Sequence, residues 1–234
     1  MRSLFILFLL VSTYSKSQSF APIISNYSKS EYLGESPIWD ITENNKQGKV
    51  YFANNRNILE YDGNFWEKYS PNSLTIIRSV FTMNNVLYSG ALNNFGYWKT
   101  IEGKKVYISI SDKFKSFEGL EQEEIWKIFY HNRSIYFQSF NYLFQFDGKT
   151  VKRYKLPALS SYVYLVKGKM LVATISKGIF EFNNGHFEPL FEIEKGKSIV
   201  IHGIEKYDND YLVGTLTEGI FKYNKTAGLQ EFNV

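Results

Sequence analysis

An all-β propeller of about five four-stranded blades is the fold this sequence predicts, and three observations carry the prediction. A short pattern in which apolar residues bracket a variable pair returns five times, as Ile38-Trp39-Asp40-Ile41, Ile77-Arg78-Ser79-Val80, Ile125-Trp126-Lys127-Ile128, Val163-Tyr164-Leu165-Val166 and Ile201-His202-Gly203-Ile204. Its second positions recur at intervals of 39, 48, 38 and 38 residues, close to the period of roughly 40 that belongs to propeller blades. The composition, 18% aromatic with only 5 prolines and no sustained helical periodicity, suits strands.

Each bracketed pattern reads as a first strand, followed by turn residues at 44–48, 84–85, 131–133, 167–169 and 208–210. Second strands are expected at 50–53, 86–89, 135–138, 170–173 and 211–214. Third strands follow at 58–61, 95–98, 143–146, 179–182 and 220–223, rich in aromatic and β-branched residues. Asp62-Gly63, Asp147-Gly148 and Asn184-Gly185 then supply tight turns, while Glu102-Gly103 and Ala227-Gly228 fall in slightly longer ones. Fourth strands close the units at 65–69, 106–110, 151–154, 186–190 and 229–232, giving blades at about 34–70, 74–110, 124–155, 161–191 and 199–234. Both faces of such a sheet carry apolar residues, so only neighbouring blades stacked around an axis can cover them.

The N-terminus reads as a secretory signal over 1–17. Arg2 precedes an apolar run at 4–11, and Ser15 and Ser17 stand two apart before Gln18. Eight apolar residues are too few for a spanning helix, so the mature chain is expected to be extracytoplasmic. The net charge of +4 falls to +2 without Arg2 and Lys16, which gives no footprint for nucleic acid. With 0 cysteines there are no disulfides and no thiolate metal site.

The variable position nominates the functional site: Trp39, Arg78, Trp126, Tyr164 and His202. First strands line a propeller's axis, and a position near their start lies toward the face where blades connect. Three aromatics, a guanidinium and an imidazole gathered there suit stacking on an apolar sugar face and hydrogen bonding to an anionic or hydroxyl-rich ligand. The plainer alternative is that these side chains pack between blades. The stretched interval adds a segment at 111–124 with Lys113, Lys115, Glu118, Glu121, Glu123 and Glu124, either a lid over that face or a solvated charged loop. His131, His186 and His202 fall at three radial depths, so no shared metal is expected, and no cofactor is called for. No nucleophile elbow or phosphate loop is present. Glu60, Glu181 and Asp40 recur by repeat position, which reads as exposed strand faces rather than as an acid and base pair. Asn26, Asn132 and Asn224 open glycosylation-type triplets that would matter only in a host that glycosylates.

One group of residues carries a family resemblance: Asn26-Tyr27, Trp39-Asp40-Ile41, Val50-Tyr51-Phe52-Ala53-Asn54, Ile58-Leu59-Glu60-Tyr61-Asp62-Gly63, Trp66, Pro71-Asn72, Ile77-Arg78-Ser79 and Asn94-Phe95-Gly96-Tyr97. In this order they resemble the start of two-component regulator propellers. The chain is similar to the periplasmic sensor half of Bacteroidetes regulators whose propellers precede a triple-tyrosine domain, a membrane helix and a cytoplasmic signalling domain. The resemblance covers most of the mature chain and is specific through about residue 98. It departs at Asn94, where the family carries an acidic residue. Five units allow either a closed ring, latched by the segment 20–33 with Ile23-Ile24 as an outer strand on the last blade, or the first part of a larger ring. The resemblance implies the larger ring, of which this chain is a fragment.

Three functions remain open at this point. The resemblance favours a non-catalytic, ligand-sensing propeller with an oligosaccharide-related ligand. Its further partners would be another copy, or the additional propeller and triple-tyrosine domains, and it would contact membrane only through those later parts. A protein-binding scaffold is the second reading, and a carbohydrate-active enzyme of propeller fold the third.

Overall fold

The computed structural model describes residues 24–71, 75–120, 122–193 and 199–232, so the expected leader at 1–17 lies outside the described residues. Five antiparallel sheets of four strands follow one another in sequence order. The first holds β1 (Asp40–Asn44), β2 (Lys49–Ala53), β3 (Ile58–Tyr61) and β4 (Trp66–Tyr69), and the second β5 (Ile77–Met83), β6 (Val86–Ala91), β7 (Asn94–Ile101) and β8 (Lys104–Ser109). The third comprises β9 (Lys127–His131), β10 (Ser134–Gln138), β11 (Tyr142–Phe146) and β12 (Val151–Lys155). The fourth comprises β13 (Ser160–Val166), β14 (Lys169–Thr174), β15 (Gly178–Asn183) and β16 (His186–Glu192), and the fifth β17 (Ile201–Tyr207), β18 (Asp210–Thr215), β19 (Ile220–Asn224) and β20 (Gly228–Glu231). Among the described residues two single-turn helices, α1 (Lys29–Tyr32) and α2 (Ile110–Lys113), accompany the strands. The fold is an all-β propeller, as the repeat predicts.

The core lies between the sheets. Tyr51, Ala53 and Ile58 of the first pack against Ile77, Val80 and Leu87 of the second, and three comparable clusters join the second sheet to the third, the third to the fourth and the fourth to the fifth. One seat recurs in all four. The residue on each second strand near the axis is small or polar and receives the opening residue of the next first strand. Ala53 takes Ile77, Gly90 takes Ile125, Gln138 donates to Ser160 Oγ at 3.3 Å, and Ala173 takes Ile201. The fit is tightest at Gly90, where a Cβ would stand 2.3 Å from the Ile125 side chain. At the corresponding Gly214 a Cβ would meet only backbone of Gly203, at 4.0 Å, and among the described residues no cluster joins the fifth sheet to the first.

Of the expected latch, residues 27–33 lie on the first sheet, while residues 20–23, with Ile23 of the proposed outer strand, lie outside the described residues. Tyr27 and Tyr32 stand 5.4 Å and 5.8 Å from the Trp66 ring, and Lys68 Nζ donates to the Leu33 carbonyl at 3.2 Å. The reason is local, because Trp66 and Tyr61 stack at 4.6 Å on the face turned away from the second sheet and offer an aromatic ledge to the incoming chain. The expectation for Glu60 also needs correction. It is 2% exposed, lies between the first two sheets, and is neutralised by Lys49 and by Lys105 at 3.4 Å, with Tyr69 Oη donating at 3.1 Å. Strand alternation puts Glu60 on the inner face with Tyr51 opposite it, a position that sequence spacing alone reads as polar and therefore outward.

Candidate functional site

Where three of the first strands enter their sheets, the pairing slips by one residue. The shift falls between Ile77 and Ser79, between Ser160 and Tyr162, and between Ile201 and Gly203, leaving Arg78, Ser161 and His202 as the extra residues. In the first and third sheets the Trp39 and Trp126 N–H groups donate to the Ala53 and Gln138 carbonyls at 2.9 Å and 2.8 Å. Ala53 and Gln138 already pair with Asp40 and Lys127, so the tryptophans occupy the same position. A bulge of this kind re-aims one side chain out of the sheet's alternation. The axial column is therefore Trp39, Arg78, Trp126, Ser161 and His202.

Tyr164 is not a member. It sits three residues farther along, opposite Leu171, partly buried against the core between the fourth and fifth sheets, with Oη donating to the Ile201 carbonyl at 3.3 Å. The apolar bracket misleads here because the true opening residue is Ser160, fully buried and hydrogen bonded to Gln138 and to the Ala173 carbonyl. Val163 holds the fourth position of the pattern, equivalent to Val80, rather than the first.

Three of the five nominated side chains meet. The Arg78 guanidinium carbon lies 3.9 Å from the Trp39 ring centroid and 4.7 Å from that of Trp126, and the two indoles stand edge to face at 6.0 Å. Nε and Nη2 of Arg78 donate to Glu124 Oε1 at 3.1 Å and 2.9 Å. Trp39 Nε1 donates to Asn55 Oδ1 at 2.9 Å, and Trp126 lies 5.3 Å from the exposed Phe140 ring. Beside the ion pair a cavity of about 310 Å3 is bounded by Asn55, Arg56, Thr75, Ile76, Leu92 and Glu124. Buried Nη1 of Arg78 and Nε1 of Trp126 have no acceptor among the described residues. His202 is exposed, and neither it nor Tyr164 makes a ring contact or ion pair with the cluster among the described residues.

The segment 111–124 is pinned rather than free. Phe114, Phe117 and Leu120 pack on the core between the second and third sheets, and Asn93 N–H donates to the Glu123 carbonyl at 2.7 Å. Glu121 lies outside the described residues. The three-residue spacing of Phe114, Phe117 and Leu120 is the signal of that anchoring, hidden by the charges around it.

Below the tryptophans the second member of the variable pair adds Asp40 and Lys127. The Asp40 carboxylate accepts the Val80 N–H at 3.0 Å, and burial raises its pKa. Burial lowers the Lys127 ammonium to about 8, opposed by the nearby Asp40 charge. Lys127 Nζ donates to the Val163 carbonyl at 2.7 Å and lies 4.4 Å from the Tyr162 ring centroid. Among the described residues no group of three or more His, Asp and Glu side chains is placed to hold a metal ion. The site is thus an aromatic platform stiffened by one guanidinium, with hydrogen-bonding groups at its rim and a charged pair beneath.

No family model matches the sequence, and no curated protein matches it. Among solved structures the chain is similar to the extracellular domain of the putative hybrid two component system BT4673 from B. thetaiotaomicron, with 17% identity over 83% of this chain and 27% of that one, at a TM-score of 0.60. It is also similar to BamB from Moraxella catarrhalis (17% identity, 79% of this chain, 60% of that one, TM-score 0.55) and to the WD40 β-propeller domain of Doa1 (12%, 85%, 69%, 0.56). The chain spans about a quarter of the length of the BT4673 domain. Likeness at these identities shows the fold, a β-propeller, and the fold alone.

Proposed function

We propose that this chain is an extracytoplasmic sensing propeller of the two-component regulator type, whose axial face binds a hydroxyl-rich ligand, an oligosaccharide, without transforming it. The observation that carries the reading is the Trp39–Arg78–Trp126 stack beside the cavity at Glu124. Its aromatic faces suit the apolar side of a pyranose ring, while Asn55, Arg56 and Glu124 offer donors and acceptors to hydroxyls at the rim. The likeness to extracellular domains of bacterial signalling systems supports a sensing role. Ligand binding would alter how this propeller pairs with another copy or docks on further propeller and triple-tyrosine domains, and a membrane helix elsewhere in such a protein would carry the change to its output.

The test is thermal denaturation of the full chain against a panel of soluble oligosaccharides. One of them raises Tm, as ligands that bind only the folded state must, and Trp126→Ala together with Arg78→Ala abolishes the shift. No shift with any saccharide, or a shift kept by the double variant, refutes the reading. A second reading, a protein-docking scaffold, draws on Leu92, Phe140 and Leu159, three apolar side chains between 40% and 50% exposed in the β6–β7, β10–β11 and β12–β13 connections. It predicts that charged substitutions at these three positions weaken a partner while Arg78→Ala does not.

A further inference from the structure

On the propeller face opposite the Trp39 cluster, a cavity of about 390 Å3 opens between the third and fourth sheets. Chain direction fixes this placement. The β9–β10 turn at Asn132-Arg133 and the β15–β16 turn at Asn184-Gly185 both lie at the strand ends remote from Trp126 and Ser161. The volume falls within the range of small-molecule sites, about 300–1,000 Å3.

The walls are built rather than incidental. Gly185, at φ 90°, lets the β15–β16 turn close on Tyr154, whose ring a Cβ would approach to 3.2 Å. Tyr154 meets Phe182 edge to face at 4.9 Å, and its hydroxyl donates to Gln145 Oε1 at 2.9 Å. Gln145 Nε2 donates in turn to Ser134 Oγ at 3.1 Å, so its amide orientation is fixed. His131 stands 6.4 Å from the buried Tyr136 ring. The polar lining has one sign of charge: His131 and Lys152 contribute the ionisable nitrogens, Asn132, Asn183 and Asn184 contribute amides, and no carboxylate borders the space. Lys152 has no ion-pair partner among the described residues. Burial holds the His131 imidazole below its ordinary pKa, and a bound anion would reverse that shift.

We infer that this cavity is a second saccharide site, selective for an acidic sugar of the uronate class. Lys152 and His131 meet the carboxylate through charge-assisted hydrogen bonds, the asparagine amides take the hydroxyls, and the Tyr154–Phe182 pair borders the apolar face of the ring. The inference stands independently of the axial site.

Its test is an NMR titration of the full chain with digalacturonate and, separately, with neutral galactobiose. Only 3 histidines are present, so the His131 ring signals are assigned by comparison with His131→Gln. Digalacturonate is expected to move those signals toward their protonated positions, and to bind about tenfold or more tighter than galactobiose, the equivalent of one charge-assisted hydrogen bond. Lys152→Gln, a change at an exposed position that leaves the fold intact, weakens the acid by about tenfold and leaves galactobiose unchanged. Equal affinity for the two sugars, unmoved His131 signals, or undiminished acid binding in Lys152→Gln overturns the inference. Indole signals of Trp39 and Trp126 report on the opposite face, so failure of either site is read separately.

Discussion

Arg78 lies with its guanidinium carbon 3.9 Å from the ring centroid of Trp39, so a cation from the second sheet caps an indole from the first. The same group reaches Trp126 of the third sheet at 4.7 Å and Glu124 at 2.9 Å, which makes one side chain the tie between three sheets at the axis. Lysine would keep the charge and lose both the planar stack and the two-point bond to the carboxylate. Arg78→Lys is therefore expected to cost about 1–2 kcal/mol in urea denaturation. A change below about 0.3 kcal/mol would mean that the stack contributes nothing to the fold.

The two related glycines at the inter-sheet seat should respond oppositely. Gly90→Ala places a methyl 2.3 Å from the Ile125 side chain and 2.7 Å from Ser79 Oγ, and overpacking of this kind costs about 1–3 kcal/mol. Gly214→Ala meets nothing nearer than 4.0 Å, and its restriction of the unfolded chain gives a change between zero and about 1 kcal/mol of stabilisation. Paired thermal melts of the two variants check the contrast, and equal losses would contradict the seat described here.

Lys127 carries a pH signature. Its pKa is about 8 in the folded chain against 10.5 unfolded, so between these values the unfolded state binds more protons and stability rises with pH. The charged amine costs on the order of 2–3 kcal/mol at neutral pH. Lys127→Met should raise Tm at pH 7, and its advantage over the parent should shrink as pH climbs from 7.5 to 9. Tyrosine ionisation is common to both chains and drops out of the difference. An advantage that stays constant over that range would show that Lys127 does not titrate there.

Tyr164 acts between sheets rather than on the axis. Tyr164→Phe removes one hydrogen bond, to the Ile201 carbonyl, for a loss of about 0.5–1.5 kcal/mol in denaturant melts. The Tm increase produced by an axial ligand should be unchanged in this variant. Loss of that increase would return Tyr164 to the binding face.

The repeat made the architecture legible because four of the five first strands open on isoleucine, as Ile38, Ile77, Ile125 and Ile201 do. The fourth opens on Ser160, whose hydrogen bond to Gln138 replaces apolar packing, and a pattern that seeks apolar brackets slides three residues to Val163. Spacing put Trp39, Arg78 and Trp126 in one column, but it put Tyr164 and His202 there too and did not single out the three that meet. Ser161 was hidden because a bulge is a property of pairing, not of composition. Glu124 was visible only as one charge among several, and nothing in the sequence marks it as the partner of Arg78, 46 residues earlier. Glu60 was misread for a related reason, since the lysines that make its burial tolerable, Lys49 and Lys105, come from different sheets.

The most direct test of the central claim is a titration of the isotopically labelled chain with the oligosaccharide that raises Tm most, following the indole N–H signals of its 4 tryptophans. Trp39 and Trp126 flank Arg78 at the axis, whereas Trp66 stacks on Tyr61 under the N-terminal segment and Trp98 Nε1 is buried in a bond to Ser89 Oγ at 2.9 Å. The signals of Trp39 and Trp126 should move together and saturably while those of Trp66 and Trp98 hold still. Movement of Trp66 or Trp98 with Trp39 and Trp126 unchanged would place the ligand elsewhere and contradict the axial site.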